Sequence, residues 1–406
     1  MTPIGSRKPL TLALFVVVAV AACSGGGGFD SGPISLGLAV ADCNGDGRTD
    51  LAVAYTQLNH PPPHASTIGV YLQQGGGAQV LAPANAYAVG DDTWNAIAAD
   101  VDGDGRPDIV SVDYNSQTLS LLLNDPQQPG HFQAARTLPS GHYPQQVVAA
   151  DVDQDGHVDL IEAFSGGIAI HLQDPTAPGS FVAAITIPIS NCCGGLAVGD
   201  LNGDRLSDIA VVDQGSNLRI LFQDPGARGS FLTPVSRLAG TTGWTVSIAD
   251  LNGDGANDLI YSGIPTTTGP SMSVVVALQD PQHPGQFPTL ASYATGDGVG
   301  IILVSDLDQD GHPDLVVGTG TGISFLFQDP ARLGRFLPAK TYAPYFENNS
   351  TGDRILYDFS YIALGDVNGD GLEDIIVGTG PSSSGPGVVP QLAGHPGQFG
   401  NYQDLH

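Results

Sequence analysis

Residues 100–108 read DVDGDGRPD, with aspartate at the first, third, fifth and ninth positions. Neighbouring carboxylates repel one another, so a short loop with four of them needs a positive charge inside it. Related nonapeptides occur seven times: DCNGDGRTD at 42–50, DVDGDGRPD at 100–108, DVDQDGHVD at 151–159, DLNGDRLSD at 200–208, DLNGDGAND at 250–258, DLDQDGHPD at 306–314 and DVNGDGLED at 366–374. Successive copies begin 58, 51, 49, 50, 56 and 60 residues apart. This regular spacing predicts a repeat architecture.

The composition and one complete repeat favour short strands. Only 13% of the 406 residues are charged, while 55 are glycine and 30 are proline, which is typical of strands joined by turns. Within the repeat, QQVVAAD at 145–151, DLIEAF at 159–164, GIAIHLQ at 167–173 and SFVAAITIP at 180–188 have the patterns of four strands. Four short antiparallel strands in each of seven repeats predict an all-β, seven-bladed β-propeller.

A second motif, a D-P turn that ends in G-x-F, precedes the last strand of most repeats. Copies include NDPQQPGHF at 124–132 and QDPTAPGSF at 173–181. Asp-Pro opens such a turn and glycine closes it. Because the phenylalanine recurs at one register, we expect it to pack between blades.

The acidic character of the chain is concentrated in the nonapeptide loops. Their first, third, fifth and ninth positions hold 24 of the 41 acidic residues, and the formal net charge is −28. One divalent cation in each loop would halve that charge. Nucleic acid is excluded as a favoured partner, since phosphate binding needs basic patches.

The pattern D-x-[ND]-x-D-G-x-x-D between two strands, followed by the G-x-F turn, resembles the FG-GAP or VCBS-type repeat, which also builds the integrin α-subunit propeller. The resemblance covers residues 34–406. It implies a propeller with calcium in its inter-strand loops. It implies no single activity, because such folds include lectins, adhesins and a few lyases.

Calcium takes six to eight oxygen ligands in a flexible geometry, which suits these loops better than the strict octahedron of magnesium. In the 100–108 loop we expect inward carboxylates at the first, third and fifth positions, a backbone carbonyl at the seventh, and a bidentate carboxylate at the ninth. Metal-free Asx-turn hairpins and unoccupied repeats are the alternatives. The predicted ligands are Asp42, Asn44, Asp46, Arg48 and Asp50; Asp100, Asp102, Asp104, Arg106 and Asp108; Asp151, Asp153, Asp155, His157 and Asp159; Asp200, Asn202, Asp204, Leu206 and Asp208; Asp250, Asn252, Asp254, Ala256 and Asp258; Asp306, Asp308, Asp310, His312 and Asp314; and Asp366, Asn368, Asp370, Leu372 and Asp374.

The seven loops are predicted to differ in strength. Aspartate at the third position gives the loops of blades 2, 3 and 6 four carboxylates, whereas asparagine leaves three in the others. In the 200–208 loop Arg205 replaces the glycine of the sixth position. A positive φ is unfavourable there for a residue with a side chain, and the guanidinium adds a positive charge. We therefore expect this site to be the weakest.

The N-terminus has the pattern of an export signal. Arg7 and Lys8 precede an apolar run that is too short for a comfortable transmembrane helix. The run ends in VAAC at 20–23, which resembles the bacterial lipoprotein signal. This predicts a signal peptide at 1–22 and a lipidated Cys23 with a glycine-rich tether at 23–33. It also predicts an exported lipoprotein of the outer membrane, facing the periplasm or the surface. An ordinary signal peptide with an incidental cysteine is the alternative.

The face opposite the acidic loops carries the unusual residues. We expect aromatic residues near the start of the first strands to ring the mouth of the central channel, either as a plug or as a platform for a sugar or peptide. They are Trp94, Tyr143, Trp244, Phe359 and Tyr361. Cys192 and Cys193 share this register. A vicinal disulfide between them ranks above a bond from either one to Cys43, and free thiols are the alternative.

Three function classes follow from these features. The first is a non-catalytic binding or adhesion module for a glycan or protein ligand, the second is a structural envelope lipoprotein, and the third is a polysaccharide lyase. The sequence has no G-x-S-x-G and no H-E-x-x-H motif, and its 13 Lys and Arg residues suit a polyanion poorly. We therefore favour the binding module and expect no catalysis. The identity of the ligand stays open.

Overall fold

A computed structural model describes residues 34–56, 66–75, 81–190, 192, 194–213, 217–239, 245–263, 273–296, 298–343, 345–347, 354–356, 359, 361–378 and 386–404. The signal peptide, Cys23 and the tether lie outside these residues, as do Trp244 and Cys193. Within the described ranges no helix has the length and hydropathy needed to span a membrane.

The described residues form seven four-stranded antiparallel sheets, the blades of a β-propeller. Blade 1 contains β1 (Ile34–Ala41), β2 (Asp50–Thr56), β3 (Ser66–Gln73) and β4 (Leu81–Ala88). Blade 2 contains β5 (Thr93–Ala99), β6 (Asp108–Asp113), β7 (Thr118–Leu122) and β8 (Arg136–Pro139). Blade 3 contains β9 (Pro144–Ala150), β10 (Asp159–Phe164), β11 (Gly167–His171) and β12 (Ile185–Pro188). Blade 4 contains β13 (Leu196–Gly199), β14 (Asp208–Val212), β15 (Asn217–Leu221) and β16 (Val235–Ala239).

The remaining blades follow the same order. Blade 5 contains β17 (Val246–Ala249), β18 (Asp258–Gly263), β19 (Ser273–Leu278) and β20 (Thr289–Ala294). Blade 6 contains β21 (Ile302–Ser305), β22 (Asp314–Thr319), β23 (Gly322–Leu326) and β24 (Lys340–Tyr342). A hairpin of β25 (Tyr345–Glu347) and β26 (Arg354–Leu356) separates it from blade 7. Blade 7 contains β27 (Ile362–Gly365), β28 (Asp374–Val377), β29 (Gly387–Val389) and β30 (Gln403–Asp404).

The ring closes through apolar packing between the first and last blades. Each blade comes from one continuous segment, so the described strands of blade 1 and blade 7 are not exchanged. Leu38 and Leu51 of blade 1 share a buried cluster with Ala363 and Ile376 of blade 7. Burial of this apolar surface therefore supplies the closure.

The hydrophobic cores lie between adjacent blades because the inner strands are apolar on both faces. The three inner strands of blade 3 read as nearly continuous buried runs, whereas β12 is mostly exposed. The turn phenylalanines join these cores as their register predicts: Phe132 of blade 2 meets Tyr87 of blade 1 edge-to-face at 5.7 Å. The fourth strand of blade 3 is shorter than expected. In blade 3, Phe181 forms only an isolated bridge to Gln173 before β12 begins at Ile185.

Candidate metal-binding loops and aromatic surface

The seven nonapeptides, here called the acidic loops, connect the first and second strands of the seven blades. The D-P-x-x-x-G turns, here called the outer turns, connect the third and fourth strands and therefore share the same end of each blade. We call this end the acidic face. The connections between second and third strands, and those between blades, lie on the opposite face.

The ninth-position aspartate braces every acidic loop. In blade 2, Asp108 accepts the Val101 N–H on Oδ2 at 3.0 Å and the Asn124 N–H on Oδ1 at 2.8 Å. The other six loops repeat both bonds, at 2.9–3.2 Å and 2.7–2.9 Å respectively. All seven side chains are at most 1% exposed. This carboxylate thus joins the loop to the end of the third strand.

Burial makes the charged form of these aspartates unfavourable. Desolvation, opposed by the two backbone N–H donors and reinforced by nearby loop carboxylates, raises the pKa of Asp108 to about 7. The same causes raise the pKa of Asp159 to about 6 and that of Asp314 to about 7. The pKa of the ninth-position aspartate is also raised in each of the other four loops. A bound cation would favour their ionised form.

The first-position aspartate organises the turn itself. Asp100 accepts the Asp104 N–H on Oδ1 at 3.0 Å and the Gly105 N–H on Oδ2 at 2.8 Å. Gly105 has a φ of +86°, as predicted for a conformation that glycine adopts easily. Hydrogen bonds from the backbone therefore hold the first carboxylate in place across the loop.

Three loops gather a triad of carboxylates suited to a cation. Within each triad, one oxygen from the first, third and ninth positions lies within 4.8 Å of the others. The triads are Asp100, Asp102 and Asp108; Asp151, Asp153 and Asp159; and Asp306, Asp308 and Asp314. Two oxygens that both bind calcium at its usual distances lie at most about 5 Å apart, so these donor sets fit the ion. They are the three loops that the sequence predicts to be strongest.

The fifth-position carboxylate lies outside these three triads. Asp104 accepts the Arg106 backbone N–H on Oδ1 at 3.0 Å, and its Oδ2 lies 2.6 Å from the Arg106 guanidinium. Asp46 pairs with Arg48 in the same way. Three carboxylates of the 100–108 loop therefore form the triad and the fourth pairs with Arg106, while its role as a calcium ligand stays a prediction.

Positive φ values are more widespread in the loops than the sequence indicates. Arg205 has a φ of +69°, which confirms the unfavourable conformation expected of it. At the fourth position, Gln154 and Gln309 have φ values of +59° and +60°, where five of the loops have glycine. Gln154 donates from Nε2 to the Arg205 carbonyl oxygen at 2.6 Å. Sequence reasoning missed this contact between the loops of blades 3 and 4.

The acidic loop of one blade also contacts the outer turn of the next. Gln173 of blade 3 donates from Nε2 to the Val101 carbonyl of blade 2 at 2.7 Å, and Gln223 of blade 4 does the same to Val152 of blade 3. A Cβ placed on Gly179, in the outer turn of blade 3, would lie 3.2 Å from the Cβ of Asp102. Asp102, the predicted third-position ligand of this loop, thus packs closely against the outer turn of the neighbouring blade.

The predicted aromatic residues of the opposite face separate into two groups. Trp94 is half-buried and Tyr143 is 36% exposed, and both stack on Tyr114, which the sequence analysis did not select. Phe359 and Tyr361 are only 0% and 8% exposed and lie in the core of blades 6 and 7. Their assignment to a ligand surface is therefore corrected, because packing between blades takes them out of contact with solvent.

The cysteines also differ from one another. Cys192 is disulfide-bonded and Cys43 is a free thiol, so the ranking of a Cys43 disulfide as unfavoured is consistent with the structure. The predicted partner, Cys193, lies outside the described residues. Cys192 is only 3% exposed and lies in the core of blades 3 and 4.

The profile of the FG-GAP-like repeat matches residues 42–111, 100–162, 151–211, 200–261 and 306–377. The chain belongs to this family. Each match begins on an acidic loop and ends in the second strand of the next blade, so the repeat unit of the profile has the period of the blades but starts one strand later. No protein in the curated collection matches the sequence of the chain significantly.

Solved structures similar to this FG-GAP-like protein include two lectins and a protein in complex with a partner. A lectin from Burkholderia pseudomallei is 13% identical with a TM-score of 0.64, over 93% of this chain and 99% of its own. An Agrocybe aegerita lectin, described as recognising non-reducing terminal N-acetylglucosamine, is 20% identical with a TM-score of 0.52, over 78% and 81%. BBS1N, solved in complex with ARL6DN, is 13% identical with a TM-score of 0.53, over 88% and 92%. At these identities the likeness shows the fold alone.

The raised pKa values predict how stability depends on pH in metal-free protein. An unfolded aspartate titrates near 3.8, whereas folded Asp108 and Asp314 titrate near 7. The folded state therefore holds more protons between these values, and stability falls as the pH rises toward and through 7. In EDTA, we expect the melting temperature to fall between pH 5 and pH 8, by several degrees.

Differential scanning fluorimetry across this pH range measures the effect. Asp108→Asn, which cannot ionise, is the matched variant and should show a shallower fall than the parent. A melting temperature that rises with pH in EDTA would contradict the assignment of these buried carboxylates.

Proposed function

We propose that this protein is a calcium-stabilised, non-catalytic propeller lipoprotein that binds a glycan or protein ligand at the bacterial cell envelope. The observation that carries the proposal is the division of the molecule into two faces. One face repeats the same acidic loop in every blade, and the other presents a partly exposed aromatic stack on blades 2 and 3. The first arrangement serves stability and the second serves recognition.

Calcium is supported by the chemistry of the loop donors. Each triad offers three carboxylates. The seventh-position carbonyl of the same loop would add a neutral oxygen, which would complete the hard donor set that calcium prefers. The third-position carboxylates of Asp102, Asp153 and Asp308 have a raised pKa because of burial and repulsion from neighbouring carboxylates. A cation would neutralise that repulsion, and it would stabilise the contact between the loop and the adjacent outer turn.

Recognition is supported by the opposite face and by the kind of proteins that share the fold. Two of the similar propellers are lectins and a third is solved with a protein partner, so a ligand of either kind is compatible with the fold. The exposed ring of Tyr143 favours the glycan, because a flat ring packs against the apolar face of a sugar. The chain is acidic, which disfavours an anionic ligand.

The lipoprotein part rests on the VAAC sequence at 20–23. A lipidated cysteine followed by a glycine-rich tether would place the propeller at a membrane surface while leaving both faces accessible.

Two isosteric substitutions test the calcium sites in opposite directions. Asp153→Asn removes a carboxylate from the blade 3 triad, and Asn252→Asp adds one to the blade 5 loop. In EDTA, Asp153→Asn should melt higher than the parent and Asn252→Asp lower, because repulsion changes. In saturating calcium the order should reverse, with each independent site worth about 2.7 kcal/mol at a hundredfold excess over Kd.

Thermal melts of both variants in EDTA and in calcium measure this crossover. Simple damage to folding would shift each variant in the same direction under both conditions, and that result would contradict bound calcium.

Lipidation predicts a specific N-terminus. When the full chain is expressed in a Gram-negative host, mass spectrometry should find an acylated Cys23 as the first residue. Cys23→Ser should abolish acylation and release the protein from the membrane fraction. An unmodified mature N-terminus at any other residue would contradict the anchor.

A glycan array probed with the purified full chain tests recognition. We expect retention on a defined set of glycans in calcium and reduced retention in EDTA, without release of unsaturated sugars. Unsaturated products would instead identify a lyase. Binding to an envelope protein, with no signal on the glycan array, would select the protein ligand.

A further inference from the structure

The aromatic stack forms a continuous step across blades 2 and 3. The rings of Trp94 and Tyr114 lie 4.3 Å apart and within 8° of parallel, and the rings of Tyr114 and Tyr143 lie 4.9 Å apart at 27°. His142 leans on Tyr143 at 4.0 Å, and its Nδ1 lies 2.8 Å from Gln117 Oε1. Both His142 and Tyr143 are exposed. The end of the aromatic stack formed by Tyr143 and His142 is therefore in contact with solvent.

Backbone strain is concentrated around this step. Six described non-glycine residues have positive φ, and three of them belong to the acidic loops. The other three are Asp92, Gln117 and Tyr143, with φ values of +62°, +56° and +54°. All three lie in the segments that hold the stack, and a positive φ is especially unfavourable for a bulky tyrosine. Strain of this kind collects at ligand sites.

Two irregular strands place polar groups at the same end of these blades. The pairing of β5 with β6 shifts between Thr93 and Asn95, so Trp94 is the extra residue of a bulge. The pairing of β9 with β10 shifts at the corresponding place, where Gln145 is the extra residue. A bulge redirects the side chain of its extra residue.

Both redirected side chains carry an unsatisfied polar atom. Within the described part of the chain, neither Trp94 Nε1 nor Gln145 Oε1 has a hydrogen-bond partner, although both atoms are buried. Gln145 is only 7% exposed. A buried donor or acceptor without a partner is destabilising. Blade 2 thus holds one buried donor and blade 3 one buried acceptor for which the described residues provide no hydrogen-bond partner.

The charge and geometry of the step select the class of ligand. The rings are stacked in parallel, so they form no cage around a cation, and an N–H donor such as Trp94 Nε1 does not attract one. The formal charge of −28, with Asp91 and Asp92 beside the step, disfavours an anion. A sugar hydroxyl group can accept from the indole N–H and another can donate to the amide oxygen.

We propose that the aromatic step of Trp94, Tyr114 and Tyr143 binds an uncharged saccharide, whose ring packs on Tyr143, and that side-chain movement on binding lets its hydroxyl groups pair with Trp94 Nε1 and Gln145 Oε1. The inference rests on the proposed function, since it locates the ligand site of that binding module and names its ligand as a neutral sugar.

Isothermal titration with methyl glycosides of neutral hexoses and N-acetylhexosamines, compared with galacturonic acid, tests the proposal on the full chain. Tyr143→Asn removes the ring while keeping a residue that tolerates positive φ. Trp94→Phe removes the indole N–H donor and keeps a smaller aromatic ring, and Gln145→Leu removes the acceptor. Each should weaken binding of a neutral glycoside by about tenfold or more. Leu290→Asn, at an apolar residue of β20 that is 48% exposed, is the control and should bind as the parent does.

Fluorescence locates the sugar independently of affinity. Trp94 and Trp244 are the only tryptophans, so Trp244→Phe leaves Trp94 as the only indole. The neutral glycoside should change its emission, and Tyr143→Asn should reduce that response at equal sugar concentration. Thermal melts confirm that each variant is folded.

The outcomes separate this inference from the proposed function. If a neutral glycoside binds the parent and all three site variants equally, the location is wrong and the binding function stands. If only galacturonic acid or only a peptide binds, the ligand class is wrong. If the parent binds no glycoside, uronate, peptide or envelope protein, the site and the proposed function both fail.

Discussion

The buried aspartate at the ninth position of each acidic loop is the interaction on which the rest of the structure depends. A carboxylate in an apolar setting is unstable unless donors surround it. Here two backbone N–H groups bind it, one from the loop and one from the end of the third strand. The amide side chain at that strand end then reaches the loop of the preceding blade, as in Gln173 and Val101. One carboxylate thereby links loop, sheet and neighbouring blade.

The same arrangement explains why the two faces differ. On the acidic face, every loop must satisfy the same set of backbone donors and the same neighbouring turn, so the residue types repeat. The opposite face carries no such constraint, and there the first strands of blades 1, 2 and 3 have register shifts, of which those in blades 2 and 3 redirect Trp94 and Gln145. Residues of this face can therefore differ from blade to blade and bind a ligand without loss of the interactions that hold the ring together.

Much of the fold follows from the sequence because the repeat period and the acidic pattern are local signals. DVDGDGRPD indicates a strand–loop–strand unit, and its seven copies indicate the number of blades. The orientation of Asp104 could not be predicted, because it depends on which way the Arg106 side chain turns. The burial of Phe359 and the contribution of Tyr114 likewise depend on how neighbouring segments pack in three dimensions, which residue spacing does not encode.

Anomalous diffraction from crystals grown in calcium tests the account most directly. We predict difference peaks among the first, third and ninth carboxylates of blades 2, 3 and 6, with the weakest or no peak in the 200–208 loop beside Arg205. Ordered triads without any anomalous peak would contradict the central claim that a cation offsets the repulsion within the acidic loops. So would a strongest peak in the 200–208 loop.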